Sequence, residues 1–333
     1  MQLQLPWAPQ DTVSHCSFHP NAAQCTVLVA SWDSRVKIYI DSTLAFDYSQ
    51  PGPVLAACFL PNDPLTGGLR VVSAGADTKI YAFNSIHQEK GAIPIGKALH
   101  QHSDTVKCLA YDPQSNLLVS ASWDCTLRTW NEAMEFQASL TLPSRPHAMS
   151  VHEGKAVVAC DDKTIYIVQL STLSIIQQRT SSLRHPTRAI VCFPEKEQLI
   201  WCTSSTEGRV AIDWLQTPEK RYAFKCHRRI GAEGAELVYP VNALAVYPRI
   251  GEGGIFATGG SDGTVCIWSR EGKRKIKTLP PFPTTISQVA FSADGKWLAV
   301  AASYVWDQGE ERESVHSVHV YPMYASELGV AER

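Results

Sequence analysis

Short apolar runs recur along this 333-residue chain, and each is followed by the same sequel. Small residues come next, then one acidic residue, then a segment in which apolar and polar positions alternate. Val29-Ala-Ser-Trp-Asp33 leads into Val36-Lys-Ile-Tyr39, and Ser73-Ala-Gly-Ala-Asp77 into Ile80-Tyr-Ala-Phe83. The unit returns at Ser120–Asp124 with Leu127–Trp130, at Ala159–Asp162 with Ile165–Val168, at Ser204–Glu207 with Val210–Ile212, and at Thr258–Asp262 with Val265–Trp268. A seventh copy ends at Asp307 and carries a charged insertion ahead of its closing strand, Val315–Tyr321. Most units also open with a strand of fixed phase: Val13–Phe18, Val54–Phe59, Val106–Tyr111, Val241–Val246 and Ile286–Phe291. Alternation at period two predicts half-buried β-strands. The acidic residue has a local task, since an Asp side chain accepts backbone N–H bonds in a tight turn and tolerates the turn's dihedrals.

The acidic positions 33, 77, 124, 162, 207, 262 and 307 lie 44, 47, 38, 45, 55 and 45 residues apart. That is the period of a four-stranded propeller blade, and the pattern resembles the WD40 family. The resemblance implies an all-β fold, one seven-bladed WD40 β-propeller over residues 1–333, its last blade completed by the N-terminal strand around Gln2–Trp7. Radial closure leaves such a fold only short, protected sheet edges. The family's Trp-Asp dipeptide is degraded here, with Trp130 followed by Asn131 and Trp268 by Ser269.

Composition narrows the function. A net charge of −2 excludes a general polyanion binder, and 44% hydrophobic with 19% charged residues describes a globular chain rather than a disordered one. No apolar run reaches the length that crosses a membrane, so no membrane partner is expected, and the first residues lack the features of a secretory signal. The ten cysteines form no CxxC pair; they read as reduced core residues of a nuclear or cytosolic protein. Gly91–Ala98 nearly spells a phosphate-binding loop, but Ala98 stands where the magnesium-ligating hydroxyl belongs. His100 and His102 belong to no HExxH motif, and His102 with Asp104 reads as a structural hydrogen-bond pair. Asp161-Asp162 and Glu310-Glu311 fall in turns or insertions, and no GxSxG elbow is present. No cofactor, no metal and no catalysis are therefore expected; an enzyme using the propeller as an active-site funnel would lack any catalytic constellation.

Charge is unevenly spread. Ten basic and five acidic residues between Arg179 and Arg229 make that stretch +5, leaving −7 for the rest. Such a rim suits an anionic partner, through forked Arg donors and compact Lys charges; a solvated strand edge is the alternative. Trp32 and Trp123 each precede a turn Asp, where the ring either anchors a partner or packs against an adjacent loop.

Longer blocks carry a closer resemblance. Ser181-Ser-Leu-Arg-His-Pro-Thr-Arg188, Glu207-Gly-Arg-Val-Ala-Ile212, Tyr222-Ala-Phe-Lys-Cys-His-Arg228, Tyr239-Pro-Val-Asn242 and Phe256–Gly263 are similar to the mitotic-checkpoint WD40 proteins of the Bub-three type. The resemblance implies a non-catalytic adaptor, monomeric within its complexes, at kinetochores and in the nucleus, with a cytoplasmic pool. Its implied partners are GLEBS segments of checkpoint kinases and phosphorylated Met-Glu-Leu-Thr repeats of a kinetochore scaffold, with no direct nucleic acid. Arg209 and Lys225 match the family's phosphothreonine contacts. Arg188 matches a partner for GLEBS acidic residues, and Trp32 and Trp123 match the peptide-binding face. The Gle-type mRNA-export WD40 proteins share the Glu-Gly-Arg-Val-Ala and Lys-Cys-His-Arg blocks. Ser303-Tyr-Val-Trp-Asp307 leans toward that sister family, and the segments Leu60–Arg70 and Gln308–Glu313 depart from the checkpoint pattern.

Overall fold

Burial explains the sequence pattern strand by strand. The structure, a computed structural model, describes residues 3–20, 25–64, 66–84, 93–95, 101–249, 254–309 and 315–329. Seven four-stranded antiparallel sheets, with one two-stranded ribbon of Arg228–Ile230 and Glu236–Val238, make up the fold among these residues. Blade three is typical, with strands Val106–Asp112, Leu117–Ser122, Thr126–Trp130 and Phe136–Thr141 in that order. Second strands such as Thr26–Ser31, Ile200–Ser205 and Ile255–Gly260 are buried at every position, because a blade is covered by a neighbour on each face. They therefore read as unbroken apolar and small runs. Fourth strands such as Thr43–Ser49, Phe136–Thr141 and Tyr222–Lys225 alternate in and out, because they lie at the rim.

Seven apolar clusters hold the ring, one at each junction between consecutive blades. Leu28, Val36, Phe59 and Val71 join blade one to blade two, for example, and Val13, Val29, Ala299 and Val318 join blade one to blade seven. Each fully buried Val, Leu or Ile contributes roughly 1.5–3 kcal/mol. The closing strand of blade seven, His316–Pro322, pairs with Trp297–Ser303 on one side and with Leu3–Gln4 on the other, through Leu3 opposite Val320 and Gln4 opposite His319. It starts one residue later than the alternation predicts.

One detail recurs in all seven blades. The first strand slips register against the second between its first and third residues. A bulged residue opposes no partner and is re-aimed by the extra twist. The seven bulged residues are Ser14, Leu55, Lys107, His147, Arg188, Asn242 and Ser287. First strands of adjacent blades pack against each other around the ring, so all of these side chains but the buried Leu55 line one mouth of its axis.

Candidate peptide-binding face

The turns between second and third strands lie at the same end of the blades as the bulges. Their acidic residues do the local work expected of them. Asp33, Asp77, Asp124, Asp162 and Asp262 accept the N–H two residues ahead, from Arg35, Lys79, Thr126, Thr164 and Thr264, at 3.1, 3.4, 2.9, 2.9 and 3.1 Å. In blades three and six the Asp also anchors a longer network. His102 Nδ1 lies 2.9 Å from Asp124 and its Nε2 lies 2.8 Å from Ser120 Oγ, which accepts the Trp130 indole N–H at 3.0 Å. His227, Asp262, Thr258 and Trp268 repeat the arrangement. The partner of His102 is thus Asp124, not Asp104. The Asp104 carboxylate is occupied by the adjacent Thr105 N–H at 2.7 Å, while the imidazole reaches across to the turn. Burial alone would raise the Asp124 pKa, but hydrogen bonds from His102, Thr126 and the Ser103 N–H hold it well below the carboxylate range.

Around the axis, a cavity of about 550 Å³ is lined by Trp32, Trp306, Lys107, His147, Arg188 and Asn242, among others. Arg188 is exposed at the mouth and is steadied by Asn242 Oδ1, which accepts from its Nε at 3.2 Å and its Nη2 at 3.0 Å. Asn242 is fixed in turn by donating to Ser261 Oγ at 2.9 Å. Lys107 is half-buried beside it; burial, with the Arg188 guanidinium adding to it, pushes the ammonium below its ordinary range. This is a recess in which two cations, Lys107 and Arg188, outnumber one carboxylate, Asp11, with aromatic surface at its rim.

Arg209 and Lys225 form a second cationic point on blade five. They open the third strand, Arg209–Trp214, and end the fourth, Tyr222–Lys225, and they stand directly opposite each other in the register. Their Cβ atoms are therefore about 5 Å apart on one face, an arrangement that like charges destabilise. Each has only a long contact to a carboxylate, Glu207 and Glu236 respectively, both at 3.8 Å. The side chains remain 37% and 55% exposed. Gly208 sets the approach: at φ +61°, a Cβ there would lie 2.9 Å from the Cys226 carbonyl. Arg228 seals the turn by donating to the Glu207 carbonyl at 2.8 Å and to Glu236 at 2.9 Å.

The five residues singled out from sequence thus fall into separate places. Arg188 and Trp32 share the channel mouth, where the Trp32 side chain is 45% exposed. Arg209 and Lys225 sit two and three strands outward on blade five, roughly 10–15 Å from its first strand. Trp123 is half-buried, its indole nitrogen enclosed without a hydrogen-bond partner, and it does not line the cavity. Trp306, 54% exposed at φ +62°, lines the mouth instead. Lys107 and Trp306 were missed as site residues. The signal for Lys107 was a cation one residue into an opening strand.

Gly91, Ala92, residues 96–100 and Glu310-Glu311 lie outside the described residues, and most of the phosphate-loop-like stretch with them. Among the described residues no group of three or more His, Cys, Asp or Glu is placed to hold a metal, and no helix is long and apolar enough to cross a membrane. All ten thiols are free, and burial pushes those of Cys16, Cys58 and Cys192 up to about 12.

Comparisons with known proteins agree with this architecture. The family described as "WD domain, G-beta repeat" matches residues 4–39, 94–131 and 239–269. "Mitotic checkpoint protein BUB3.1" of Arabidopsis thaliana is 36% identical over 330 residues, covering 94% of this chain and 90% of that one. "Poly(A)+ RNA export protein" of Schizosaccharomyces pombe is 30% identical over 316 residues, with 90% and 84% covered. The solved WD40 β-propeller domain of Doa1 superposes with a TM-score of 0.72 over 98% of this chain and 97% of that one, at 19% identity.

Proposed function

Because this chain belongs to the mitotic-checkpoint Bub3 family of WD40 proteins, we propose that it works as a non-catalytic adaptor with two peptide-docking points on one face. Blade five holds a phosphothreonine of a kinetochore-scaffold repeat of the Met-Glu-Leu-Thr type. The channel mouth holds a GLEBS-type segment of a checkpoint kinase or related partner. Its place of work is the nucleus and the kinetochore.

The observation that carries this reading is the direct opposition of Arg209 and Lys225. Two cations facing each other repel, and neither has a close carboxylate. A phosphate of about −1.5 to −2 charge placed between them turns that repulsion into two charge-assisted hydrogen bonds. At the mouth, Arg188 and Lys107 offer the same chemistry to carboxylates, and Trp32 and Trp306 offer apolar area to the residues beside them. Asn242 pre-orients the Arg188 fork, so less side-chain freedom is lost on binding.

The test is a calorimetric titration with one Met-Glu-Leu-Thr peptide, phosphorylated and unphosphorylated. Phosphate-dependent binding that Arg209→Glu destroys supports the checkpoint reading; no binding of either form sinks it. A second reading, an mRNA-export adaptor, is favoured by the RNA-export relative and by Trp306 in the segment that leans toward that family. Steep linear loss of affinity with log salt for single-stranded RNA would support it.

A further inference from the structure

The blades have a second end. Turns between first and second strands, and between third and fourth strands, lie away from the peptide face, and there blades five and six enclose a cavity of about 740 Å³. At its base is Arg270, whose side chain is only 7% exposed. The guanidinium lies 4.7 Å over the Phe193 ring. Its Nη2 donates to Glu195 at 2.8 Å and, more weakly, to Glu271 at 3.4 Å, while Nη1 is buried without any partner. Gly254, at φ +57°, makes room for it, because a Cβ there would come within 2.6 Å of the Arg270 Nε. The Tyr222 hydroxyl donates to the Arg270 carbonyl at 2.8 Å and its ring sits 4.9 Å below the Lys273 ammonium. A buried arginine with a spare donor, packed on aromatics and admitted by a glycine, is a built site rather than an accident of surface charge.

The lining decides the ligand. Lys196, Lys220 and Arg221 stand on exposed turns, and among the described residues no ion pair joins them to a carboxylate. Glu197 and Glu219 are interleaved with them and are unpaired in the same sense. A nucleic-acid backbone, negative at every step, would meet carboxylates between the cations along its path. A peptide that alternates charge meets matching partners throughout.

We propose that this cavity is a second peptide-docking site, taking a partner segment in which an acidic side chain reaches Arg270 and flanking Lys or Arg side chains meet Glu197 and Glu219. The incoming carboxylate replaces Glu271, the weaker and solvent-exposed of the two Arg270 contacts, and Glu195 remains in place. The site does not rest on the checkpoint reading, and it leaves the opposite face free for a simultaneous partner.

The experiment is a titration of the full-length protein, labelled with nitrogen-15, with the peptide acetyl-Lys-Ala-Glu-Ala-Lys-amide. The Trp214 indole N–H, which lines the cavity, and the Arg270 Nε–H are the reporters. Saturable shifts at both are expected. They vanish when Gln replaces the central Glu of the peptide, and Glu197→Lys with Glu219→Lys weakens binding by about tenfold. Both substitutions fall on exposed loop positions, so folding is preserved, whereas Arg209→Glu leaves the titration unchanged. Absence of saturable shifts at millimolar peptide overturns the proposal. So do shifts indifferent to the loop substitutions, or an equal response to oligouridylate.

Discussion

Blades three and five share one framework and fill it in opposite ways. Register aligns them residue by residue. Where blade three has His102, Asp124, Ser120 and Trp130, blade five has Leu183, Glu207, Thr203 and Asp213. In blade three every one of these side chains is engaged in the network. In blade five, Thr203 Oγ1 and Asp213 Oδ2 are buried without partners, as is the indole nitrogen of Trp201 opposite Asp213. The difference extends to the surface. Thr126, which donates to Asp124 at 2.7 Å and closes the blade-three network, corresponds to Arg209. A position that serves stability in one blade thus presents a cation to solvent in the other. Polar groups left unsatisfied inside blade five oppose its stability, and the two residues proposed to hold a phosphate sit on that less settled frame.

The comparison can be broken at either blade. The largest effect is expected from His102→Ala, which leaves the buried Asp124 charge without its main partner and should cost about 3–5 kcal/mol of unfolding free energy. Urea denaturation at neutral pH measures it, and a loss under about 1 kcal/mol would mean that the network is ornamental. The Asp124 and Asp262 pKa values are depressed in the folded state. Their contribution is therefore present above the unfolded value near pH 4 and fades as pH falls toward the folded ones. Next comes Arg209→Glu, expected to weaken the phosphopeptide about 100-fold, or about 2.7 kcal/mol, while the thermal midpoint stays within a degree or two. A large fall in the midpoint would make Arg209 structural.

Two smaller tests sharpen the contrast. Trp32→Ala should weaken a channel-mouth peptide by about tenfold with little change in stability. Trp123→Ala, at a half-buried ring, should instead lower stability and leave affinity nearly intact; the reverse outcome would move the anchor to blade three. The smallest effect is a gain. Burial raises the Asp213 pKa despite the nearby Arg179 and Arg221 charges, so its ionised form is penalised in the folded protein. Asp213→Asn should stabilise by about 1 kcal/mol near pH 7. That gain should disappear below about pH 4, where the carboxyl is protonated in both states.

The ring itself was legible because each blade writes its burial into the chain: unbroken apolar second strands, alternating rim strands, and an acidic turn residue at a steady period. The basic character of blade five was legible from charge alone. Other features depended on side chains meeting across distances that spacing does not encode. His102 finds Asp124 rather than Asp104 because the connection folds it over the turn. Trp32 and Trp123 look identical in sequence, both in Ser-Trp-Asp, yet one ring lines the cavity and the other is tucked away. Lys107 lay hidden in an ordinary alternating strand until the bulge turned it toward the axis.

Those bulges have a consequence for how such a protein changes over generations. A residue within a ladder is bound by its neighbours on both strands, so replacing it disturbs a blade. The bulged residue has no opposite number to disappoint. Six of the seven, Ser14, Lys107, His147, Arg188, Asn242 and Ser287, are therefore letters written around one opening, with Arg188 and Asn242 spelled as a pair. Descendants of one ring can respell that word, and with it their choice of partner, while the blades beneath stay as they are.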